Sequence, residues 1–195
     1  MAHEAIGSRI GYQAAQAGLF LEKPGLSLGA LWRNIFCRSL DAACVEECFQ
    51  LIAFVIMPEH VHLLTLPLDA EAKVSRLLAR TKQPTSRQIH RLLREAGSTL
   101  LDDLIVTERP GKRTFRFWQE GPGFDRNLFS PDAILASIDY IHENPVRHSL
   151  CQRAVDFKWS SARFHLRGEL DPDLPSLSRI DPEWIEQGGM RFEPT

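Results

Sequence analysis

The stretch LIAFVIMPEHVHLLTLP, residues 51–67, decides the fold, because two apolar runs flank a break at residues 57–59. The runs 51–57 and 60–66 have the length and composition of buried strands. Proline cannot donate to a strand ladder, so Pro58 marks the turn between them. The stretch therefore predicts a β-hairpin.

His60 and His62 lie two positions apart in the second run, so their side chains point to the same face. Two imidazoles side by side on a rigid strand could supply two ligands of a divalent-metal site. The spacing alone does not favour a metal site over a pair of half-buried histidines with hydrogen-bond partners, because His-x-His is a short pattern with many chance matches.

Length and composition indicate one soluble domain with appendages. The chain has 195 residues, 44% of them hydrophobic and 25% charged, and a net charge of −2. We expect a poorly readable segment at 1–24, the main domain at 25–167 and an acidic extended tail at 168–195. This near-neutral net charge conceals a basic segment, residues 73–94, which contains no Asp or Glu. Its basic residues are Lys73, Arg76, Arg80, Lys82, Arg87, Arg91 and Arg94.

Four cysteines without a Cys-x-x-Cys pair indicate reduced thiols. No apolar run reaches the ~18–20 residues of a membrane span. We therefore expect a cytoplasmic protein with no membrane partner.

Helical patterns surround the hairpin. The spacing of apolar residues predicts a helix over 27–39, followed by a loop or short helical piece over 41–50. Asp69 is the expected cap of the next helix, Pro84 is expected to break it, and a further helix is expected to run to Gly97. Most of the charge on this last helix has no local acid partner, which favours contact with phosphate groups by Arg87 and Arg91.

Two more strands, at 104–106 and 114–119, are predicted to complete a four-stranded antiparallel sheet with helices on one face, an α+β fold. A Gly-rich loop is expected at 121–127, with Arg126 in it. Ser130 and Pro131 predict a helix start, and the helix is expected to stop before Pro145. A last short helix is expected within 157–164, followed by weakly ordered stretches at 171–175 and 188–195.

Tyr140 lies in the well-defined helix, with Asn144 four residues later on the same face. A tyrosine hydroxyl that attacks a DNA phosphodiester conserves the bond energy as a phosphotyrosine, but a phenol is a poor nucleophile at neutral pH. A divalent cation compensates by polarising the phosphoryl oxygen. His60, His62 and the Asn144 amide oxygen would suit Mg²⁺ or Mn²⁺.

Four motifs occur in order within residues 49–166: FVIMPEHVHLL, FRFWQEGPGFDRN, SIDYIHENPVR and FKWSSAR. Together they resemble the single-tyrosine HUH transposase superfamily, specifically the REP-associated tyrosine transposases. The resemblance implies a ferredoxin-like antiparallel sheet, with the tyrosine on a helix packed against it. It also implies metal-dependent cleavage of single-stranded DNA beside a hairpin, leaving a 5′-phosphotyrosine and a free 3′-OH.

Carried onto this chain, the resemblance gives Tyr140 as nucleophile and His60, His62 and Asn144 as metal ligands. Single-tyrosine relatives include monomers and homodimers, so we expect one of the two, associated with the nucleoid. The basic residues expected to contact the DNA are Lys82, Arg87, Arg91, Arg126 and Arg147.

One departure from the family concerns the first strand. The family usually opens with a strand of the type Tyr-His-Val-Thr, which is not recognisable in residues 1–24. Either the segment has diverged or the copy is truncated. Glu59 stands where the family commonly has Asn or Asp, a turn position with little expected consequence.

Other enzyme classes share part of this histidine pattern. Histidine-triad hydrolases need a third alternating histidine, and position 64 is Leu64. Two-histidine phosphoesterases need a second His-x-Thr/Ser repeat, and a barrel metallohydrolase needs a longer chain. A domesticated or decayed relative that binds hairpin DNA without cutting it stays open as the alternative.

Overall fold

A computed structural model of the chain describes residues 14–22, 29–121 and 124–180. These residues form six strands and five α-helices. They are β1 (Ala14–Phe20), α1 (Gly29–Glu46), β2 (Phe49–Ile56), β3 (His60–Pro67), α2 (Val74–Glu95), α3 (Leu100–Asp103), β4 (Ile105–Arg109), β5 (Lys112–Phe115), β6 (Phe124–Leu128), α4 (Pro131–Arg147) and α5 (Ala162–Arg167).

The central sheet has the strand order β2-β3-β1-β6, and each neighbouring pair is antiparallel. Taken with α1 and α2, this order is the β-α-β-β-α-β arrangement of ferredoxin-like folds. The hairpin predicted from residues 51–67 is confirmed: β2 and β3 pair across the turn, and Met57 N donates to the His60 carbonyl at 2.8 Å.

Helices cover both faces of the sheet, where one covered face was expected. The larger core joins α1 and α2 to one face, through side chains such as Trp32 and Leu77 packed on Phe54. The smaller core joins α4 to the other face, with Ile138 and Ile141 among its members. A β-bulge after Leu51 lets β2 supply adjacent residues to this second core.

The expectation that residues 1–24 hold no recognisable strand was wrong for residues 14–20. β1 lies between β3 and β6 in the middle of the sheet. Its sequence, AAQAGLF, consists mainly of residue types that are depleted in strands, yet all but the last residue are buried. Residues 1–13 lie outside the described part of the chain.

Two further strand predictions need correction. The strands expected at 104–106 and 114–119 form a separate two-stranded ribbon, β4-β5, and not half of the central sheet. The loop expected at 121–127 contains β6 instead, which pairs with β1. The fourth strand is thus a polar edge strand, FDRNL, whose composition does not distinguish it from a loop.

Neither proline ends its helix. α2 runs through Pro84 as one helix, where a break was expected. The hydroxyls of Thr81 and Thr85 donate to the Leu77 and Thr81 carbonyls at 2.8 Å, supplying extra hydrogen bonds beside the missing proline N–H.

α4 likewise continues through Pro145 and ends two residues later. Ser149 then adopts a left-handed φ of 57°, and Leu150 N donates to the Pro145 carbonyl at 2.9 Å. This hydrogen bond closes the helix in the manner of a Schellman motif. The helix start predicted at Ser130 is confirmed, since its side chain accepts a hydrogen bond from Ala133 N.

Smaller elements also differ from expectation. α1 continues to Glu46, so most of 41–50 is helix and strand. Asp69 does not cap α2; its carboxylate accepts from Glu71 N at 2.9 Å in the preceding turn. Residues 159–161 lie along β2, with Ser161 N donating to the Phe54 carbonyl at 3.0 Å, and the last helix begins only at position 162.

The stretch 171–175, expected to be weakly ordered, belongs to a segment that packs against the domain. Leu174 and Leu177 contact the larger core, and Ser178 N donates to the Leu51 carbonyl at 2.9 Å. Residues 188–195 lie outside the described part. None of the described helices is both long and apolar enough to cross a lipid bilayer.

All four cysteines are free thiols, as expected. Burial raises the pKa of both Cys37 and Cys44 to about 12, so neither supplies a thiolate for metal binding or nucleophilic chemistry at neutral pH.

Candidate active site

His60 and His62 project from the start of β3 onto the face that packs against α4. Their ring centroids lie 4.9 Å apart, and His60 is 8% exposed. Burial lowers the pKa of His62 to about 4, with smaller contributions from His60 and His148. Burial also lowers the pKa of His60. Both imidazoles are therefore neutral at physiological pH, the state in which a ring nitrogen can bind a metal.

α4 brings Tyr140 and Asn144 to the two histidines. The Tyr140 ring packs edge-on against His62, with centroids 5.3 Å apart, and the tyrosine is 37% exposed. Asn144, one turn later, is 3% exposed, and its Oδ1 lies 3.3 Å from His60 Nε2. The four residues that the sequence analysis selected thus meet at one place, although they come from segments about 80 residues apart.

A positive charge lies over the ring of Tyr140. The Arg147 guanidinium lies 5.4 Å from the centroid of the tyrosine ring. Because the two residues are seven positions apart on α4, they share one face of the helix. An anion that approaches the Tyr140 hydroxyl from solvent therefore meets a cation at the same place.

The nitrogen and oxygen atoms at this site form a donor set suited to a divalent cation. His62 Nδ1 is buried without a hydrogen-bond partner among the described residues, which leaves its nitrogen uncompensated. Two imidazoles and an amide oxygen are ligand types that divalent transition metals and Mg²⁺ or Mn²⁺ accept. Among described residues, no group of three or more His, Cys, Asp or Glu side chains is arranged to hold a metal ion, so the amide is needed as the third ligand.

A second histidine on α4 holds the helix in place. His142 Nε2 lies 2.9 Å from Ser161 Oγ, and that hydroxyl also accepts from Phe54 N of β2. Burial lowers the pKa of His142 to about 4. His142 therefore acts in packing, behind the site and away from Tyr140, as its position two residues from the tyrosine predicts.

The basic residues predicted to contact DNA lie in three regions. Arg147 is at the site, and Arg126 is on the edge strand β6, 3.3 Å from Gln16 Oε1. The others lie on α2, which covers the opposite face of the sheet.

On α2, Arg87 lines an ~810 Å³ groove between α1 and α2, and Arg91 lies within 4.0 Å of Glu95. Lys82 is half-buried, and its Nζ donates to the Gly121 carbonyl at 3.2 Å. α2 therefore offers a separate basic surface, distant from Tyr140.

Two further aromatic rings lie beside His60. His148 lies with its ring centroid 5.7 Å from that of His60, and Phe20 lies 5.8 Å from it. His148 is close because α4 continues past Pro145, which the proline rule did not predict. Phe20 belongs to the strand that was not recognised.

Phe117 and Trp118 are adjacent aromatic residues, a residue type on which unpaired bases stack. Both are buried, at 1% and 5% exposure. Trp118 Nε1 also donates to the Lys82 carbonyl at 3.1 Å. Neither ring is available to stack on a nucleobase.

Comparison with known proteins finds similarity both in sequence and in structure. No protein-family model matches the chain. A Haemophilus influenzae protein provisionally named a REP-associated tyrosine transposase is 26% identical over 141 residues, which are 72% of this chain and 74% of the relative. A solved structure described as a REP-associated tyrosine transposase bound to a REP hairpin has a TM-score of 0.61 and 17% identity, with full coverage of both chains. The resemblance predicted from the four motifs and the predicted α+β fold are both confirmed.

Proposed function

We infer, from the confirmed resemblance of this chain to the REP-associated tyrosine transposases, that it cleaves and rejoins single-stranded DNA next to hairpins through a 5′-phosphotyrosine at Tyr140. The observation that carries this inference is the meeting of Tyr140 with His62, and of Asn144 with His60, across β3 and α4. The inferred activity is that of a transposase-like nuclease and strand transferase.

In the proposed reaction, Tyr140 Oη forms a bond to the phosphorus of the scissile phosphodiester, and the bond from phosphorus to the 3′ oxygen breaks. The phenol loses its proton, and the departing 3′ oxygen gains one to become the free 3′-OH. Rejoining reverses these steps with a 3′-OH as the nucleophile, so no ATP is consumed.

The chain's residues prepare Tyr140 for this attack in two ways. The edge-on His62 ring fixes the tyrosine ring against the sheet, and α4 is itself anchored by His142 and Ser161. Arg147, beside the tyrosine ring, attracts the phosphate by its charge. Both effects place the phosphorus near Oη before any bond changes.

His60, His62 and the Asn144 amide oxygen would hold a divalent cation, either Mg²⁺ or Mn²⁺. When bound, such a cation would polarise the phosphoryl oxygen and orient the phosphate for in-line attack. The unpartnered His62 Nδ1 and the neutral state of both imidazoles support this proposal.

The alternative function is a domesticated or decayed protein that binds hairpin DNA without cutting it. The sequence feature in its favour was the missing first strand, and β1 occupies that place in the sheet. The four proposed catalytic and metal-binding residues are also assembled. Cleavage is therefore the better-supported function, and binding alone becomes an outcome of the test.

The test incubates the protein with labelled single-stranded hairpin DNA from the repeats that flank its own gene, with Mn²⁺ or with EDTA. We expect a covalent adduct that survives a denaturing gel, requires the metal and is absent with Tyr140→Phe or the double substitution His60→Ala/His62→Ala. His90→Ala is the matched control, because His90 stacks on Phe115 of β5, away from the site, and should leave the adduct intact.

Hairpin binding without any adduct would select the non-cleaving alternative. An adduct that persists in EDTA would leave Tyr140 as nucleophile and remove the cation from the mechanism.

A further inference from the structure

Phe20 is a large aromatic residue left partly exposed beside the candidate active site. It ends β1 and is the direct cross-strand partner of His60 in the antiparallel pair, so the two side chains share a face. Its ring centroid lies 5.8 Å from that of His60, with the planes 31° apart, and the residue is 40% exposed. By contrast, Phe54 of β2 in the same sheet is fully buried.

The backbone holds Phe20 in a fixed position. Its carbonyl accepts from Gln119 N at 2.9 Å on one side. On the other side, the next residue, Leu21, donates its N–H to the Glu59 carbonyl at 2.8 Å. A residue whose backbone is held in this way loses little backbone entropy when a ligand stacks on its ring.

On the same face of β1, Gly18 and Gln16 precede Phe20 at two-residue steps. The cross-strand partner of His62 on β1 is Gly18, which is buried and has no side chain. Further along β1, Gln16 Oε1 accepts from Arg126 Nη2 at 3.3 Å, and Arg126 is exposed. At about 3.3 Å per residue, the four steps from Phe20 to Gln16 span ~13 Å. An apolar ring and an anchored cation thus lie on either side of Gly18 along β1.

We propose that Phe20 is a stacking subsite for an unpaired nucleobase of the strand whose phosphate reaches Tyr140. This inference rests on the proposed function, and adds a base-binding subsite to it. An aromatic face stacks on any base, so the subsite contributes affinity and position with little sequence preference. Arg126, anchored by Gln16, meets the backbone of the same strand further along β1.

The experiment measures fluorescence anisotropy with two labelled 12-nucleotide probes. One probe is oligothymidine, and the other has the same phosphates with abasic tetrahydrofuran sites in place of every base. Wild type, Phe20→Ala and Phe20→Trp are compared. Phe129→Ala serves as the matched control, since Phe129 is also an exposed phenylalanine, at 58%. It lies just before the N-terminus of α4, more than two helical turns from Tyr140.

We expect Phe20→Ala to weaken binding of oligothymidine by roughly 5- to 150-fold, the range of one base–aromatic stack, and to leave the abasic probe unaffected. Phe20→Trp and Phe129→Ala should bind both probes as wild type does. Adduct formation with hairpin DNA should fall with Phe20→Ala and be retained in Phe20→Trp.

An equal loss on both probes would overturn the inference, because it would mean that Phe20 supports the His60 packing and not a base. Wild-type binding without preference for bases would also overturn it, and would leave single-strand binding and Tyr140 chemistry intact. If wild type bound neither probe nor hairpin DNA, the proposed function itself would fail, and the subsite with it.

Discussion

His60 is held by side chains from β1 and from α4. Asn144 of α4 contacts it by a hydrogen bond, and the rings of Phe20 and His148 pack on it from β1 and from the end of α4. Because Asn144 Oδ1 is an acceptor, His60 Nε2 donates to it when no cation intervenes. The amide therefore orients the imidazole without a cation, and in the proposed metal site it would become a ligand.

We predict that Asn144→Ala raises the Mn²⁺ concentration required for half-maximal adduct formation by roughly 10- to 100-fold, the range found when a group that supports a metal site is removed. Asn144→Asp keeps an oxygen at the position and should restore much of the metal response. The measurement is an Mn²⁺ titration of adduct yield.

Ser137→Ala is the control for Asn144→Ala. Ser137 is buried on the same helix, and its Oγ has no hydrogen-bond partner among the described residues. Its loss should be neutral. A wild-type metal response in Asn144→Ala would remove Asn144 from the ligand set.

For each of the pairs His60/His62 and Tyr140/Asn144, the sequence predicts a shared face from the spacing of the two residues. Two-residue alternation puts His60 and His62 on one face, and four-residue spacing puts Tyr140 and Asn144 on one face. Nothing local predicts that these two faces meet, and this part came from the resemblance. His148 was not predicted to join them because its position depends on how α4 passes Pro145.

At the scale of elements, the prediction failed where local propensity and tertiary packing disagree. β1 is a strand because Ala15 and Ala17 are small enough to lie buried between neighbouring strands and helices, whatever their intrinsic preference. Two residues before Pro84, the Lys82 carbonyl of α2 accepts a hydrogen bond from Trp118 Nε1 of another segment. Contacts between residues that are distant in the sequence cannot be recognised from the few residues on either side of a position.

We predict that Pro84→Ala raises the free energy of unfolding by about 1–2 kcal/mol. Alanine restores an N–H donor inside a helix that already runs through this position, and part of that gain is offset because the unfolded chain becomes more flexible. Urea unfolding followed by circular dichroism measures the change. Gln83→Ala, the exposed neighbour, should change stability by less than about 0.5 kcal/mol.

A loss of stability in Pro84→Ala would show instead that the proline shapes α2 for its packing. The contact between Trp118 and the Lys82 carbonyl would then be the first feature to re-examine.

For the molecule as a whole, the sheet separates two positively charged regions. Arg147 stands beside Tyr140 on the α4 face, and Arg87 and Arg91 stand on α2, on the other face. A near-neutral net charge of −2 hides this arrangement, so composition alone does not predict a DNA partner. Helical spacing did predict the basic face of α2, but not which face of the sheet it covers.

The separation predicts different defects for the two regions. Arg147→Ala should lower the single-turnover rate of adduct formation even at saturating hairpin DNA, because it removes the cation next to the nucleophile. The double substitution Arg87→Ala/Arg91→Ala should leave that rate unchanged and weaken binding. The slope of log affinity against log salt should also become shallower, by about 0.9 per lost contact with duplex phosphate.

Arg153→Ala is the control for both variants and matches the single charge lost in Arg147→Ala, because both carboxylate oxygens of Asp156 accept hydrogen bonds from Arg153. It should change neither the rate nor the salt slope. Unchanged binding in the α2 variant would mean that DNA contacts only the α4 face, whereas a slower rate at saturation would mean that α2 acts on the reacting strand. The two readouts therefore decide whether one DNA molecule engages both faces of the sheet or only the face with Tyr140.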